Sequence, residues 1–171
     1  MRQRSYVARS SGGNVDYRFD MPGDIAEVIW TQRRLALKTG ILIANPILRL
    51  SDIAAVSDLA HGKGVRDVVV DSTFATPIAT RPLELGADFV VHSLTKYIGG
   101  HGDAMGGAVI GSKAELDALN IEATVHYGGV LSPFNAWLIM RGAATLPLRM
   151  RAHEENALKV AQYLEGHSAV K

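Results

Sequence analysis

Two short apolar runs, each followed at once by polar residues, constrain the fold more than any other feature of the sequence. The first run, residues 68–70 (VVV), leads into Asp71, and the second, residues 89–91 (FVV), leads through a polar stretch to Lys96. Apolar runs that do not alternate with polar residues are typical of parallel strands buried on both faces. Ligands of such sheets bind outside the carboxyl ends of the strands. We therefore predict that the two strands are neighbours and that Asp71 and Lys96 project into one crevice.

Around these runs, the sequence alternates between patterns typical of strands and helices. This alternation is the signature of a parallel sheet with crossover helices. Ser51 is expected to cap the helix before the first run, and Ser132, followed by Pro133, to cap a later one. The predicted strands are residues 15–19, 41–44, 68–70, 89–91 and 108–110. The predicted helices are residues 25–37, a segment from 51 to about 62, 82–85, 113–119, a segment from 133 to about 142, and 148–165.

Composition excludes several classes of function. The chain has 171 residues, a formal net charge of +1 and no cysteine. Without cysteine there is no disulfide, zinc-thiolate site or thiol nucleophile. The near-neutral charge does not favour a nucleic-acid partner, and no apolar run approaches the roughly 18 residues that a membrane span needs. We expect neither partner, and we expect a cytoplasmic location. The Arg- and Ser-rich residues 1–14 are interpreted as a loose segment, with an organelle transit peptide as the alternative.

The residues after the two runs suit pyridoxal phosphate (PLP) chemistry. The Lys96 amine can form a Schiff base with a carbonyl, and an Asp71 carboxylate can hold a pyridinium N–H. The hydroxyls of Ser93 and Thr95 can donate hydrogen bonds to phosphate oxygens. Each residue also has an ordinary interpretation: Lys96 as a solvated loop lysine, Asp71 as a cap, and the hydroxyls as turn formers. No arrangement of His, Asp and Glu residues supports a metal site.

The glycine-rich run at residues 99–107 (GGHGDAMGG) has spacing that could suggest a dinucleotide-binding motif. That fingerprint follows a strand and opens a helix, so that the phosphates meet the helix N-terminus. Here the glycines precede the predicted strand 108–110, which argues against a nicotinamide cofactor. The sequence also has no GxSxG elbow and no P-loop, so it does not predict a hydrolase of the GxSxG type or a P-loop NTPase.

Three segments resemble the Cys/Met-metabolism family of PLP-dependent enzymes, which includes cystathionine γ-synthase, cystathionine lyases and methionine γ-lyase. They are residues 70–77 (VDSTFATP), 81–107 (RPLELGADFVVHSLTKYIGGHGDAMGG) and 131–157 (LSPFNAWLIMRGAATLPLRMRAHEENA). The resemblance covers nearly all of residues 41–171. It implies an α/β fold, namely the aspartate-aminotransferase-like large domain (PLP fold type I), mainly a parallel sheet with flanking helices.

The resemblance also implies roles for individual residues. Lys96 matches the Schiff-base lysine, and Asp71 matches the partner of the pyridine nitrogen. Ser93 and Thr95 match the phosphate-binding hydroxyls. Asn45 resembles an asparagine near the phenolic oxygen of the cofactor and the substrate. Two departures are visible: Ser72 stands where many members have Asn, and the ILIA sequence before Asn45 replaces a Glu-containing pattern.

Other family features have no match, so we expect a truncated version of the fold. These are a Gly-Met phosphate segment, an aromatic residue that stacks on the ring, Tyr and Arg lent by a neighbouring subunit, and a C-terminal domain. We expect residues 15–145 to be part of the PLP-binding large domain and 146–171 to lead toward the absent C-terminal domain. The implied activity is a lyase or synthase acting on cystathionine, methionine or O-acylhomoserine in a homo-oligomer, a tetramer built from dimers. The alternative is an inactive remnant that binds PLP weakly or serves only as an interaction module.

Overall fold

The computed structural model describes residues 6–8, 17–19, 38–41, 43–44 and 49–170. The strands are β1 (Tyr6–Ala8), β2 (Tyr17–Phe19), β3 (Lys38–Ile41), β4 (Ile43–Ala44), β5 (Arg49–Leu50), β6 (Val68–Asp71), β7 (Phe89–Ser93) and β8 (Gly107–Ile110). The α-helices are α1 (Ile53–Gly62), α2 (Thr76–Ala79), α3 (Lys113–Asn120), α4 (Pro133–Ala143) and α5 (Leu146–Glu165). A 3₁₀ turn covers Pro82–Leu85, and a π-helical turn covers Ile121–His126.

A four-stranded mixed sheet lies at the centre of the described chain, with the strand order β3-β6-β7-β8. The first three strands run parallel, and β8 pairs with β7 in the antiparallel direction. The two strands built from the apolar runs, β6 and β7, are therefore parallel neighbours, as predicted. Their register places Asp71, the last residue of β6, opposite Val91. The sheet thus directs both chain segments that follow these strands to the same edge.

The best-packed core lies between α1 and one face of β6. Ile53 and Ala60 from α1 pack with Val68 and Val70, and all four side chains are at most 8% exposed. Burial of such side chains is the main source of stability in a domain of this size. Asp88 ties the starts of the two central strands together, because its carboxylate accepts a hydrogen bond from the Val68 amide at 2.6 Å. The same carboxylate oxygen lies 2.9 Å from the His61 ring.

The helix termini follow the predicted chemistry with one correction. The Ser132 hydroxyl accepts a hydrogen bond from the Asn135 amide at 3.2 Å, so Ser132 caps α4 and Pro133 begins it, as predicted. The cap of α1 is Asp52 and not Ser51, because the Asp52 carboxylate accepts from the Ala55 amide at 3.0 Å. Either residue type is a good cap, and the extended backbone of Asp52 decides between them.

The predicted strand at residues 41–44 is wrong in one respect, because the structure divides it between two sheets. Residues up to Ile41 belong to β3 in the main sheet, whereas β4 pairs with β5 in a separate antiparallel hairpin. The predicted helix 25–37 and Asn45 lie outside the described residues. Within the described ranges no helix is both long enough and apolar enough to span a membrane.

Candidate active site

The segments that follow β6 and β7 are joined by direct hydrogen bonds at the carboxyl edge of the sheet. The Ser72 amide donates to the Val91 carbonyl at 3.0 Å, which extends the ladder one residue past β6. The Ser93 amide then donates to the Thr73 hydroxyl at 2.8 Å. These contacts place the residues after Asp71 beside those that lead to Lys96. Asp71 and Lys96 therefore stand on adjacent segments at one edge of the sheet.

Asp71 presents a half-buried carboxylate that is only partly used by the protein. Its Oδ1 accepts a hydrogen bond from the Thr73 amide at 2.9 Å, which fixes the direction of the carboxylate. No residue of the described chain donates to Oδ2. A carboxylate that is held by one oxygen and open at the other is suited to accept an N–H from a bound ring.

Lys96 lies in a tight turn that begins inside β7, and its side chain is exposed. The Lys96 amide donates to the Ser93 carbonyl at 3.2 Å, and the Gly100 amide donates to the Lys96 carbonyl at 2.7 Å. The backbone of the residue is thus fixed on both sides. Its Nζ forms no hydrogen bond or ion pair within residues 49–170. The amine is consequently free to react with a carbonyl compound.

Ser93 and Thr95 differ in how far the protein already uses their hydroxyls. The Ser93 hydroxyl has no partner among the described residues. The Thr95 hydroxyl lies between the two backbone groups of Gly106, 3.1 Å from the nitrogen and 3.3 Å from the oxygen. Gly106 also accepts from the amides of Leu94 and Thr95 through its carbonyl. Thr95 therefore ties the turn at Lys96 to the start of β8.

Thr73 is a site residue that the sequence patterns did not single out. Its amide orients Asp71 and its hydroxyl receives the Ser93 amide, so one side chain links both segments. A signal was present in the sequence, because a residue two positions after Asp is the usual donor of an Asx turn. The bond to Ser93 spans 20 residues. That contact depends on the pairing of β6 with β7, so it could not be predicted from neighbouring residues.

Two buried polar atoms lie just beneath this edge. The Ser72 hydroxyl and the Nδ1 atom of His92 are buried with no hydrogen-bond partner in the described part of the chain. Burial lowers the pKa of the His92 imidazole below its ordinary value of 6.5, while the charge of Asp71 and a backbone group of Ser72 oppose this shift. No sequence pattern pointed to His92 beside Asp71, because histidine positions carry no periodic signal.

Thr76, directly after this segment, has an unusual backbone conformation. Its φ of 56° lies in the left-handed region, which β-branched residues seldom occupy because of steric crowding. Such a conformation costs on the order of 1–3 kcal/mol and persists only where the surroundings hold it. The side chain is fully buried, and its hydroxyl accepts from the Ile78 amide at 3.3 Å. The turn that follows Asp71 is therefore fixed by packing.

The open groups at this edge match the chemistry of a phosphorylated pyridine aldehyde. Lys96 supplies an amine for the aldehyde, Asp71 an acceptor for the ring nitrogen, and Ser93 a hydroxyl donor for a phosphate oxygen. The Lys96 Nζ, the Asp71 Oδ2 and the Ser93 hydroxyl have no partner in the part of the chain that the structure describes, while Asp71 Oδ1 is held by the Thr73 amide. Among residues 49–170 no cluster of three His, Asp or Glu side chains is arranged to hold a metal ion.

Comparisons with known proteins agree with this chemistry. Residues 24–171 match the model of a family described as Cys/Met metabolism PLP-dependent enzyme. Canavanine gamma-lyase of Rhizobium leguminosarum bv. trifolii is 54% identical over 126 residues, which are 74% of this chain and 31% of that protein. Cystathionine gamma-synthase of Mycobacterium leprae is 42% identical over 161 residues, or 92% of this chain and 40% of that protein.

The fold is also shared with solved enzymes. Cystathionine gamma-lyase from Lactobacillus plantarum, solved in complex with L-serine, superposes with a TM-score of 0.74 at 39% identity, over 79% of this chain and 35% of that chain. The predicted fold class, part of a PLP fold type I large domain, is thereby confirmed. The chain spans about a third of the length of curated relatives such as the canavanine gamma-lyases.

Proposed function

Because the chain belongs to the Cys/Met metabolism family of PLP-dependent enzymes, we propose that it binds pyridoxal 5'-phosphate through Lys96 and acts as a lyase of sulfur amino-acid metabolism. One observation carries the proposal. Three groups without a partner in the described chain, Lys96 Nζ, Asp71 Oδ2 and the Ser93 hydroxyl, lie on two adjacent segments at one edge of the sheet. The family is described as PLP-dependent, and PLP is the cofactor that these three groups suit.

Each residue has a stated task in this proposal. Lys96 holds the cofactor covalently, and Asp71 accepts the N–H of its ring. A carboxylate at that position keeps the ring nitrogen protonated and positively charged. Ser93 and Thr95 hold the phosphate, and Thr95 exchanges its weak contact with the Gly106 carbonyl for a charged acceptor. Asn45 is proposed to lie near the phenolic oxygen, and it falls outside the described residues.

Lys96 also moves the protons of the reaction. Bound PLP supplies an electron sink for the pair of electrons left when a substrate Cα–H bond breaks. The free, uncharged Nζ of Lys96 would accept the proton from the substrate Cα and, as an ammonium, would return it to the substrate or to the group that leaves from Cβ or Cγ. The backbone hydrogen bonds on both sides of Lys96 keep its amine within reach during this exchange.

We propose substrates of the cystathionine, methionine or O-acylhomoserine class and a homo-oligomeric assembly. Relatives with about half of their aligned residues identical are described as canavanine gamma-lyase and L-methionine gamma-lyase, which supports an amino acid cleaved at Cγ. Exposed apolar side chains on α5, among them Leu158 and Tyr163, support self-association. A cytoplasmic location is part of the proposal, because a chain without cysteine lacks the disulfides typical of small exported domains.

The test is covalent trapping of the cofactor. The chain is incubated with pyridoxal 5'-phosphate, reduced with borohydride and digested, and the labelled lysine is identified by mass spectrometry. We expect yellow absorbance and a label on Lys96, both lost in Lys96→Ala. Lys113→Ala is the matched control, since Lys113 is exposed and pairs with Asp117 on the surface of α3. A label spread evenly over all lysines, or absent from Lys96, would contradict cofactor binding at this site.

Turnover separates the lyase from an inactive remnant. The wild-type chain with PLP is supplied with cystathionine, methionine and O-acylated homoserines. The 2-oxo acid is quantified for each, together with the thiol released from the first two or the carboxylic acid released from the last. Release from one of these substrates, lost in Lys96→Ala, supports the lyase. A specific label on Lys96 without any release supports the remnant.

A further inference from the structure

We propose that Arg149, on α5, is the positioning residue that holds the Lys96 segment in its reactive place. The Lys96 segment is defined as residues 94–100. This inference rests on the proposed function, because it assigns a cause to the position of the lysine that would bind the cofactor. Arg149 acts through the backbone next to Lys96 and does not contact the cofactor itself.

The Arg149 side chain connects three parts of the chain. Its guanidinium donates to the carbonyl of Tyr97 at 2.6 Å and to the carbonyl of Ile98 at 3.2 Å. It also donates to the Gly142 carbonyl in the last turn of α4 at 2.9 Å. Its Nε donates to the Thr145 hydroxyl at 3.0 Å. One side chain thus fixes the two peptide groups that directly follow Lys96.

Arginine is the side chain that this geometry requires. Its planar guanidinium carries five N–H donors in a rigid fork, so it can serve several carbonyls at once. No carboxylate within residues 49–170 forms an ion pair with it. A cation near the last carbonyls of a helix is also favoured by the helix dipole, which applies to the Gly142 carbonyl. The charge of Arg149 therefore acts on backbone carbonyls.

Glycines bring the Lys96 segment within reach of Arg149. A Cβ at Gly142 would lie 1.9 Å from the Gly99 carbonyl oxygen, so α4 packs against this segment backbone to backbone. A Cβ at Gly100 would lie 2.3 Å from the guanidinium of Arg149. Gly100 also has a φ of 72°, which glycine adopts without strain.

The Tyr97 ring extends this arrangement to the other half of the site. Its centroid lies 5.7 Å from that of Phe74, two residues after Ser72, and 5.4 Å from that of His153 on α5. Aromatic pairs at these distances attract one another. Lys96 is therefore bracketed by the Thr95–Gly106 contacts on one side and by Arg149 and Tyr97 on the other. The backbone of Lys96 is thus held in place, and a reacting group held near its target attacks a carbonyl more efficiently.

The first experiment removes the guanidinium. Arg149→Ala is compared with Arg141→Ala, which removes the same charge from an exposed arginine whose contact is the Trp137 ring 5.9 Å away. We expect Arg149→Ala to raise the apparent Kd of pyridoxal 5'-phosphate about tenfold, or about 1.4 kcal/mol. The share of borohydride-trapped label on Lys96 should fall relative to other lysines, whereas Arg141→Ala should match the wild type in both measurements. Added guanidinium ion, but not sodium chloride at the same ionic strength, should move Arg149→Ala back toward the wild-type value.

The second experiment changes Gly100, the residue that packs against Arg149, and leaves the arginine in place. It therefore tests the same contact even if Arg149→Ala misfolds. Gly100→Ala and Gly102→Ala impose the same backbone strain, because φ is 72° at Gly100 and 71° at Gly102. Only the methyl at Gly100 meets Arg149, since a Cβ at Gly102 has nothing within 4 Å. We expect Gly100→Ala to weaken cofactor binding as Arg149→Ala does, and Gly102→Ala to leave it unchanged.

Amide hydrogen exchange separates this inference from the proposed function. Without added cofactor, residues 94–100 should exchange faster in Arg149→Ala than in Arg141→Ala. The turn that holds the Gly99 amide on the Leu94 carbonyl and the Gly100 amide on the Lys96 carbonyl loses its support when Arg149 no longer binds the Tyr97 and Ile98 carbonyls. Unchanged exchange, or faster exchange with unchanged labelling of Lys96, would overturn the role of Arg149. If the wild-type chain takes no label at all, the proposed function fails, and the exchange data still show whether Arg149 orders the segment.

Discussion

The two ends of α5 have the same kind of sequence and very different surroundings. Near its start, Leu146 is 6% exposed and Arg149 is bound to the Lys96 segment. Toward its end, Leu158 is 58% exposed and Tyr163 is 68% exposed. Apolar residues recur at helical spacing through both ends. What anchors the start is a set of hydrogen bonds from one guanidinium to backbone carbonyls, and the end has nothing comparable among the described residues.

The comparison shows that an amphipathic pattern identifies a helix without identifying its partner. The apolar residues of α5 include Ala157, Ala161 and Leu164, yet every residue from 151 to 165 is exposed. An apolar face of this kind normally packs against another element. The start of α5 contacts the Lys96 segment through Arg149, whereas its end presents a surface of a kind that proteins use for association.

The largest expected effect comes from disturbing the close packing beside the anchored start of α5, where Gly142 in the last turn of α4 meets the Lys96 segment. Gly142→Ala places a methyl against the Gly99 carbonyl, where both partners are backbone and neither can move away cheaply. We expect a loss of about 3 kcal/mol in the free energy of unfolding, at the upper end for overpacking. Urea titration followed by circular dichroism measures it. Gly166→Ala, at the exposed end, is the matched variant and should stay within about 0.5 kcal/mol of wild type. Equal losses of unfolding free energy in Gly142→Ala and Gly166→Ala would show that the two ends of α5 do not differ in how tightly their surroundings pack.

A smaller effect is expected at the exposed end, in self-association. Leu158→Ala/Tyr163→Ala removes two exposed apolar side chains, whose burial between copies of the chain would favour association. We expect the wild type to self-associate in light scattering and the double variant to shift toward monomer at equal concentration. Lys159→Ala/Gln162→Ala changes two exposed polar residues of the same helix and should behave as wild type. A monodisperse wild-type monomer would show that the exposed end has no role in association.

The smallest effect concerns the pH dependence of stability that His92 contributes. His92 lies in β7, which leads into the Lys96 segment. Because burial lowers the pKa of His92 in the folded chain, the unfolded chain binds more protons between that lowered value and 6.5. Stability from this group is fully present above pH 6.5 and is lost as the pH falls from 6.5 through the folded-state pKa. His92→Gln should flatten this part of the stability profile, measured by urea titration at several pH values. A wild-type stability that rises as the pH falls through that window would reverse the sign of this prediction.

The strands of the main sheet, and the neighbouring positions of Asp71 and the Lys96 segment, were largely predictable from the sequence, whereas the roles of the site residues stay predictions. Continuous apolar runs predicted β6 and β7, because parallel strands covered on both faces bury such runs completely. The residues around Lys96 were enough to indicate the family, because its motif consists of consecutive residues. Local rules also sufficed for Ser132 and Pro133 at the start of α4, since a cap depends on residues three positions apart.

Tertiary structure alone decided the contacts between distant parts of the chain. The bond from Arg149 to Tyr97 spans 52 residues, and the bond from Ser93 to Thr73 spans 20. The division of residues 41–44 between two sheets likewise depends on which strand pairs with which. Sequence patterns report the conformation of neighbouring residues and their need for burial. They do not report which buried groups meet, because that is settled by the packing of whole elements.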